Sequence, residues 1–489
     1  EGTLNPGWFG HPGSTTIYLL ALIDIIVVGG GLLTGAYPDL HTMTAAAYAD
    51  PALLFVPARL AMVLLGLLSI WLIYVLGARV ADRQVGLVAA TLLALNPLHI
   101  AWSQVVRTDI HASVFMLASL IFAVRSAVND RTRDWILAGV FAGFATATKW
   151  PAASVMVAIA GAALVREGKS SHGFGRLLLA AAAAVGGVFV ASPYILLDWR
   201  TVLRNVSGEM SAGHLGHTGG GFLHNLGWYC QEQVAGTMGW LGLVAVLAGL
   251  LLLLARSKVA RATIIPAAAA FLILICGQNL IWSRWILPVM PLLCIFAAVA
   301  VVWAATRLAG MMKSTRPALA LVAVAAIACV PSALGAYAQA RERGNDTRTQ
   351  AAKWARAHIP SGSSVVIEHL ELSLRDQPWT ILFPLGTAGC VDAKQLLSSK
   401  VGYKEVQGSR RGSQIVDIGN VDPARAASCR ADYAILTYYD LYQQERDRYP
   451  AQVGTYERVL AGGRTVALFV PETGLSGGPI VRIVATRQQ

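Results

Sequence analysis

Long apolar runs constrain this chain more than any other feature. Runs such as RLAMVLLGLLSIWLIYVLGARV and WLGLVAVLAGLLLLLA recur through the first 340 residues. A helix needs roughly 17 to 25 residues to cross a bilayer, and hydrocarbon leaves the backbone no partner outside its own helix. The whole chain is 55% hydrophobic and 13% charged, with a mean hydropathy of +0.55. These features predict a polytopic α-helical membrane protein.

Ten membrane helices are predicted, and a soluble domain follows them. From residue 341 to 489 the sequence becomes mixed polar, with short β-type runs such as SSVVIEHL and DYAILTYY, which predicts an α/β domain. A further apolar stretch at 16–36 is long enough to span but contains Asp24 and three consecutive glycines, so hydropathy alone leaves its placement open. The ten helices are predicted at 53–78, 84–101, 110–127, 134–149, 151–165, 177–196, 237–255, 263–281, 286–305 and 318–338.

The positions of the basic residues orient the membrane region. Lys and Arg concentrate in cytoplasmic loops, and here they fall in alternate connections, which places the opposite connections and the C-terminal domain in the periplasm or outside the cell. These orientation signals explain most of the +12 net charge, so no nucleic-acid partner is expected. The cytoplasmic set comprises Arg79, Arg83, Arg125, Arg131, Arg133, Arg166, Lys169, Arg176, Arg256, Lys258, Arg261, Arg307, Lys313 and Arg316.

A second set of basic residues lies near the outer helix ends, where orientation does not require them. Charges at such depths are costly and usually face a cavity or a partner. A cluster of them suggests one anionic ligand, and a phosphate or pyrophosphate in the outer leaflet would fit. The set comprises Arg59, Arg107, Lys149, Arg200, Arg204 and Arg284.

Each candidate also has a simpler structural interpretation. Asp109, which follows Thr108 at the start of a helix, could contribute to capping and form an ion pair with Arg107. Lys149 could favour the negative end of a helix dipole. Arg284 could extend to the interface beside two tryptophans.

Other kinds of site have weak or no sequence support. The chain has no phosphate-binding glycine loop, dinucleotide fingerprint, Ser/His/Asp arrangement or zinc-site spacing. The glycine-rich loop with His214, His217 and His224 is a weak metal candidate and is expected to form a lid over the outer cavity. No cofactor is firmly implied, although a divalent metal is possible. Cys390 and Cys429 fall in the outer domain, where oxidising conditions would allow a disulfide.

Several motifs together resemble a known family. In chain order they are EGTLNPGWFGHPGSTTIYLLALI, PARLAMVLLGLLSI, NPLHIAWSQVVRTDIHASVFMLASL, GFATATKWPA, ASPYILLDWRTVLRNV and SRWILPVMPLLCIFAAVAV. They resemble the membrane region of GT-C glycosyltransferases, and are most similar to bacterial relatives of the protein O-mannosyltransferases and the lipid A aminoarabinose transferase. The resemblance implies a GT-C-type membrane fold and a polyprenyl-phosphate sugar donor in the outer leaflet.

The resemblance also assigns individual residues. Asp109 matches a second acidic residue after the third membrane helix of the family, and Arg59 matches an arginine near the outer end of the second helix. His11 stands where relatives have Lys or His before a proline pair. Arg284 matches an arginine expected near the lipid phosphate, and Lys149 matches a frequent lysine in a helix of small residues.

In relatives, the segment corresponding to 16–36 belongs to the first outer loop. We therefore expect residues 1–52 to form this loop, with a helix lying along or in the membrane, and residues 53–340 to form the transmembrane domain. The family carries its principal catalytic carboxylate after a first membrane helix that precedes the NPGWFGHP segment. The resemblance therefore leaves two alternatives: that helix and acid lie upstream of residue 1, or the protein lacks the usual catalytic base.

The sequence as a whole predicts an inverting glycosyltransferase of the bacterial inner membrane. It would transfer a sugar from a polyprenyl-phosphate donor to a periplasmic or extracellular acceptor, which could be a protein, lipid A or another glycan. Two alternatives use the same cationic residues without sugar transfer. One is a transporter or flippase of an anionic polyprenyl lipid, and the other is a non-catalytic scaffold of the same fold.

Overall fold

The protein divides into two compact units in a computed structural model. The structure describes residues 4–10, 13–167, 173–211, 214–313, 315–368, 374–398, 408–409 and 416–486. The first unit comprises residues 1–213 and 218–336, and the second comprises 214–217 and 337–489. The predicted fold class is confirmed, because the chain combines apolar membrane-length helices with a C-terminal sheet domain.

The first unit is built from helices. Among the described residues, eight helices are long and apolar enough to cross a membrane, beginning at Ser14, Ala52, Thr108, Gly173, Phe222, Lys258, Met290 and Pro317. The α-helices are α1 Ser14–Leu33, α2 Leu40–Ala49, α3 Ala52–Val80, α4 Arg83–Leu95, α5 Pro97–Trp102, α6 Thr108–Asn129, α7 Thr132–Thr148, α8 Met156–Glu167, α9 Gly173–Ala191, α10 Tyr194–Leu197, α11 Trp199–Ser211, α12 Phe222–Trp228, α13 Gly236–Arg256, α14 Lys258–Ala262, α15 Ile264–Cys276, α16 Met290–Met311 and α17 Pro317–Gly344. Short 3-10 helices span Trp150–Val155 and Ser283–Ile286, and a π-helix spans Tyr229–Ala235.

The helix predicted at 84–101 is broken in the structure. The sequence predicts a continuous helix over 84–101, whereas α4 ends at Leu95 and α5 starts at Pro97. Proline has no N–H to continue the helical ladder, and it favours the first turn of a new helix. Asn96 caps that new helix, since its side-chain oxygen accepts a hydrogen bond from the N–H of His99 at 3.1 Å.

Small residues allow the membrane helices to approach closely. A Cβ atom at Gly143 in α7 would collide with the carbonyl oxygen of Ala184 in α9, and one at Gly249 in α13 would collide with that of Phe296 in α16. Apolar helices gain little hydrophobic free energy from contact with each other in lipid, so close backbone packing becomes the main attraction between them. These glycines therefore fix the spacing of α7 against α9 and of α13 against α16.

Two helix breaks lie close to each other and to a proline of a third helix. Besides the break at Asn96, α13 contains Gly239 with φ 74°, and the continuous helix α17 contains Pro331. The interruptions are joined by side chains, since Asn96 Nδ2 donates to Thr237 Oγ1 at 3.1 Å and Ser332 Oγ donates to the carbonyl of Thr237 at 2.9 Å. Backbone groups freed from a helix in the membrane need such partners.

The second unit contains a six-stranded mixed sheet with the order β3-β2-β1-β4-β6-β5. Strand β1 pairs in parallel with β2 and β4, and the other pairings are antiparallel. The strands are β1 Ser364–Ile367, β2 Thr380–Pro384, β3 Cys390–Asp392, β4 Tyr433–Leu436, β5 Arg464–Phe469 and β6 Val481–Ala485; the helices are α18 Thr347–His358, α19 Ala393–Ser398, α20 Tyr439–Gln444 and α21 Pro450–Val459.

Two sequence-based expectations concern this unit. Cys390 and Cys429 form a disulfide, as predicted, which links β3 to the 3-10 helix Pro423–Cys429. The glycine-rich loop predicted to form a lid contributes Leu215 to a core cluster of the second unit instead. The backbone N–H of Gly216 also donates to a carboxylate oxygen of Glu445 at 2.8 Å, so this part of the loop belongs to the packed domain.

Two carboxyl groups are buried at the carboxyl ends of the parallel strands. Glu368 follows β1 and accepts hydrogen bonds from the N–H groups of Thr437 and Tyr438, at 2.7 and 3.1 Å, just after β4. Asp417 is 1% exposed and accepts a hydrogen bond from the hydroxyl of Tyr442 at 3.0 Å. Burial, together with the nearby carboxylate of Glu368, raises the pKa of Asp417 to about 7.

We expect the second unit to lose stability as the pH rises. A carboxyl group whose pKa is raised in the folded state binds more protons when the protein is folded than when it is unfolded. The protonated Asp417 therefore stabilises the fold fully below its unfolded pKa of about 3.9, and this stabilisation is lost as the pH rises through about 7. Asp417→Asn should remove this loss, which is on the order of 2–4 kcal/mol at about 1.4 kcal/mol per pKa unit.

The change in stability can be measured by hydrogen exchange of the β1 and β4 amides in the full chain. The exchange rates at pH 5.5 and pH 8 are corrected for the intrinsic rates at each pH. The exposed Asp447→Asn serves as the matched control. Equal pH dependence in Asp417→Asn and the control would show that Asp417 does not titrate in this range.

Candidate functional site

The candidate site begins where α6 starts. Arg107 has extended backbone at the N-cap, and no side-chain hydrogen bond caps the first turn. Asp109 lies in that turn and is 1% exposed. A carboxylate is favourable there because the N-terminus of a helix carries partial positive charge. Among the described residues, the carboxylate pairs with Lys149 and Arg284 and not with Arg107, so the simpler interpretation of Asp109 as a partner of Arg107 is not what the structure has.

Lys149 reaches Asp109 from the end of α7. The helix ends at Thr148, Lys149 turns the backbone into extended geometry, and a 3-10 helix starts at Trp150. The ammonium group of Lys149 donates a hydrogen bond to Oδ1 of Asp109, and both side chains are almost completely buried. An unpaired charge at this depth would be strongly destabilising, so each residue makes the burial of the other possible.

Arg284 completes the cluster from the 3-10 helix Ser283–Ile286. Its Nε lies 3.9 Å from Oδ2 of Asp109, and its side chain is 14% exposed. The guanidinium carbon lies 3.9 Å from the ring centroid of Trp282 and 5.8 Å from that of Trp102. Arg284 therefore points toward Asp109 between aromatic faces and does not simply extend to the membrane interface.

The cluster carries excess positive charge. The charge of Arg107 acts on both Lys149 and Arg284, although the Arg107 side chain itself is exposed. Two cations thus contact one carboxylate, which leaves an excess of one positive charge, and the charge of Arg107 adds to it from the exposed side. Fixed cations in a poorly solvated site bind anions strongly, because the effective dielectric constant is low. The arrangement is suited to an anionic ligand such as a phosphate.

The amino-terminal segment is attached beside Lys149. The carbonyl of Thr148 accepts a hydrogen bond from the N–H of Gly13 at 3.2 Å, and the indole N–H of Trp150 donates to the carbonyl of Phe9 at 3.0 Å. His11 lies between these anchored positions but is outside the described residues. The segments on both sides of His11 therefore contact the residues that flank Lys149.

The structure does not bring Arg59 into the cluster. Arg59 lies on α3, its side chain is exposed, and it forms no ion pair with a described residue. The nearby His111 also has a separate environment: its Nδ1 lies 3.1 Å from the hydroxyl of Thr16, and its ring packs on Phe115 at 4.8 Å between centroids. His111 thus joins α6 to the start of α1.

Sequence reasoning missed two residues of the site. Trp102 lies in the quoted NPLHIAWSQVVRTD motif but received no role, and it packs its ring near Arg284. Tyr229 is fully buried at the start of the π-helix, and its hydroxyl donates to the carbonyl of Trp282 at 3.3 Å. The proximity of an aromatic motif to Arg107 was a usable signal for Trp102, whereas nothing in the sequence connected Tyr229 with Trp282.

No metal centre is evident in the part of the chain that the structure describes. Those residues contain no group of three or more His, Cys, Asp or Glu side chains that could hold a metal ion. The carboxylate of Asp109 instead contacts two basic side chains.

Comparisons with known proteins address the fold. A family model described as dolichyl-phosphate-mannose-protein mannosyltransferase matches residues 54–196, which include Asp109 and Lys149 but not Arg284. The crystal structure of ArnT from Cupriavidus metallidurans in the apo state matches with a TM-score of 0.50 and 15% identity, over 88% of this chain and 84% of that one. The chain has the GT-C fold. The resemblance inferred from sequence is therefore confirmed at the level of fold.

Two further GT-C structures are similar to the chain. ArnT from Cupriavidus metallidurans bound to undecaprenyl phosphate matches with a TM-score of 0.49 and 15% identity, over 88% of this chain and 84% of that one. The archaeal oligosaccharyltransferase AglB from Archaeoglobus fulgidus, in complex with an inhibitory peptide and a dolichol-phosphate, matches with a TM-score of 0.46 and 14% identity, over 99% of this chain and 68% of that one. A search of curated protein sequences gave no match.

We expect the buried ion pair to show strong coupling. Asp109→Asn or Lys149→Met alone leaves a buried charge without its partner and should destabilise the protein by about 3–5 kcal/mol. The double variant should be clearly more stable than the sum of the single effects predicts, because neither charge of the pair remains. Thermal unfolding of the full chain in nanodiscs measures the coupling, with the exposed Lys258→Met as control. Additive effects would mean that the two residues do not interact.

Proposed function

We propose that the protein is a membrane glycosyltransferase that transfers a sugar from a polyprenyl-phosphate donor. The observation that carries the proposal is the cluster of Asp109, Lys149 and Arg284, with its excess positive charge, in a GT-C fold. The description of the matched family, which names a dolichyl-phosphate sugar, supports the same class of donor.

Arg284 and Lys149 would bind the donor phosphate. In the reaction an acceptor oxygen forms a bond to the anomeric carbon, and the bond from that carbon to the phosphate oxygen breaks. The polyprenyl phosphate leaves with the electron pair of that bond, and positive charges already in place stabilise the charge that develops on it. A single displacement of this kind inverts the anomeric configuration, so we propose an inverting reaction.

Asp109 would act as a positioning residue. Its two oxygens face the ammonium of Lys149 and the guanidinium of Arg284, so the carboxylate holds both cations on one side of the site. The proton of the acceptor hydroxyl would go to the principal catalytic carboxylate that the family resemblance implies, and not to Asp109. Binding the donor phosphate and orienting its anomeric carbon are therefore the roles we assign to this cluster.

The acceptor and the cellular location are also proposals. The chain is a multi-pass membrane protein, and the distribution of basic residues supports a bacterial inner membrane with the second unit in the periplasm or outside. The disulfide between Cys390 and Cys429 supports an oxidising compartment for that unit. The acceptor would then be a periplasmic or extracellular protein, lipid A or glycan.

One observation favours a second candidate function. The breaks at Asn96 and Gly239 lie among apolar helices, and broken helices are common in proteins that move substrates across membranes. A flippase for an anionic polyprenyl lipid would use the same cationic cluster. It would bind and move the lipid without forming a new glycosidic bond.

Sugar transfer by purified protein in nanodiscs tests the proposal. We expect Asp109→Asn and Arg284→Ala each to reduce transfer from a polyprenyl-phosphate sugar by at least about tenfold, since hydrogen bonds to charged groups are worth about 1.5–3 kcal/mol. Arg133→Ala is the matched control, because Arg133 is an exposed arginine of the cytoplasmic set with no proposed role in binding the donor.

Normal sugar transfer by both Asp109→Asn and Arg284→Ala would refute the proposal that this cluster binds the donor phosphate. Wild-type protein that binds and translocates the lipid but transfers no sugar to any acceptor class would support the flippase.

A further inference from the structure

A pocket lies between α13 and α16 at their carboxyl ends. Helix α13 ends at Arg256, and α16 ends at Met311. Because α16 has 22 residues, it is about 33 Å long. Arg284 precedes the start of α16, so the pocket lies at the opposite end of the membrane region from the Asp109 cluster. Its lining residues are Arg256, Trp303, Thr306, Arg307, Gly310 and Met311.

The pocket contains uncompensated positive charge. Neither Arg256 nor Arg307 forms an ion pair with a described residue, and none of the lining residues is acidic. The sequence has no Asp or Glu between Glu232 and Glu342, so neither helix supplies a carboxylate of its own. Two arginines beside each other without an acid form a site for an anion.

The helix dipoles do not cancel this charge. The carboxyl end of a helix carries about half a negative charge, so the ends of α13 and α16 together contribute roughly one. Two arginines contribute two positive charges and exceed that amount. Two carbonyl groups at the end of α16 are also already hydrogen-bonded. The N–H of Met312 donates to the carbonyl of Leu308, and the N–H of Lys313 donates to that of Gly310.

The rest of the pocket is suited to a lipid. Trp303 is 40% exposed and lies beside Arg307, whose guanidinium carbon is 5.7 Å from its ring centroid. Tryptophan prefers the membrane interface, where phospholipid headgroups lie. Gly310 leaves open space, since an added Cβ atom would meet no heavy atom within 4 Å. Met311 adds an apolar wall that is 82% exposed.

We propose that this pocket binds the headgroup of an anionic membrane phospholipid. The phosphodiester would contact Arg256 and Arg307, and the glycerol and upper acyl chains would lie along Trp303 and Met311. Basic pockets between membrane helices at the positively charged face recognise such lipids. This lipid would occupy the leaflet opposite the proposed sugar donor, and its binding does not depend on the proposed transfer reaction.

Native mass spectrometry of the delipidated full chain tests the proposal. Titration with dioleoyl phosphatidylglycerol and dioleoyl phosphatidylcholine compares two lipids with the same acyl chains and different charge. We expect preferential binding of phosphatidylglycerol and an affinity at least about tenfold lower in the double variant Arg256→Gln/Arg307→Gln. Arg261→Gln, an exposed arginine outside the pocket, should behave like wild type.

A second variant separates pocket shape from charge. Gly310→Leu should reduce phosphatidylglycerol binding while it retains both arginines, whereas Gly186→Leu, at an exposed and similarly open helical glycine, should not. Equal affinity for the two lipids, or equal loss in the arginine variants and the Arg261→Gln control, would overturn the proposal. Displacement of the lipid by millimolar inorganic phosphate would also overturn it, because the site would then bind a soluble anion.

Discussion

The ion pair between Asp109 and Lys149 joins the first turn of α6 to the end of α7, and much of the site depends on it. Neither charge could be buried alone at this depth without a large cost. Close packing of α6 on α7, with the hydroxyl of Ser119 donating to the carbonyl of Ala138 at 2.8 Å, holds the two helices so that the pair can form. The same end of α7 also anchors the amino-terminal segment through Thr148 and Trp150.

The charges of Asp109 and Lys149 neutralise each other, so the charge of Arg284 remains available to a ligand. Arg284 lies 3.9 Å from the shared carboxylate, and aromatic faces orient its guanidinium without neutralising it. Fixed positive charge of this kind needs little reorganisation when an anion binds or develops. A donor phosphate would therefore meet a site that is already charged and ordered, which is the physical basis for the proposed glycosyl transfer.

The membrane character of the helices could be predicted from the sequence, because hydropathy is a local signal. Lys149 and Arg284 stood out as basic residues without an orientation role, and the family resemblance singled out Asp109. Their contacts could not be read in the same way, because Lys149 lies 40 positions after Asp109 and the two meet only where the start of α6 lies beside the end of α7.

Three further features of the structure could not be predicted from local sequence patterns. Hydropathy averages over a window, so it did not detect the break at Asn96 between two apolar segments. The position of Arg59 near a helix end suggested a ligand role, but the rotation of α3 leaves its side chain exposed. Tyr229 reaches the site through a π-helix, and helical periodicity does not anticipate that local geometry.

A cryo-EM structure of the protein in a nanodisc with a bound polyprenyl monophosphate would show where the donor phosphate binds. We expect the phosphate to lie within hydrogen-bonding distance of Arg284 and Lys149, about 2.7–3.2 Å between heavy atoms, while Asp109 stays in contact with Lys149. A phosphate bound away from this cluster, or a structure in which Asp109 and Lys149 are separated in both free and bound states, would contradict this expectation.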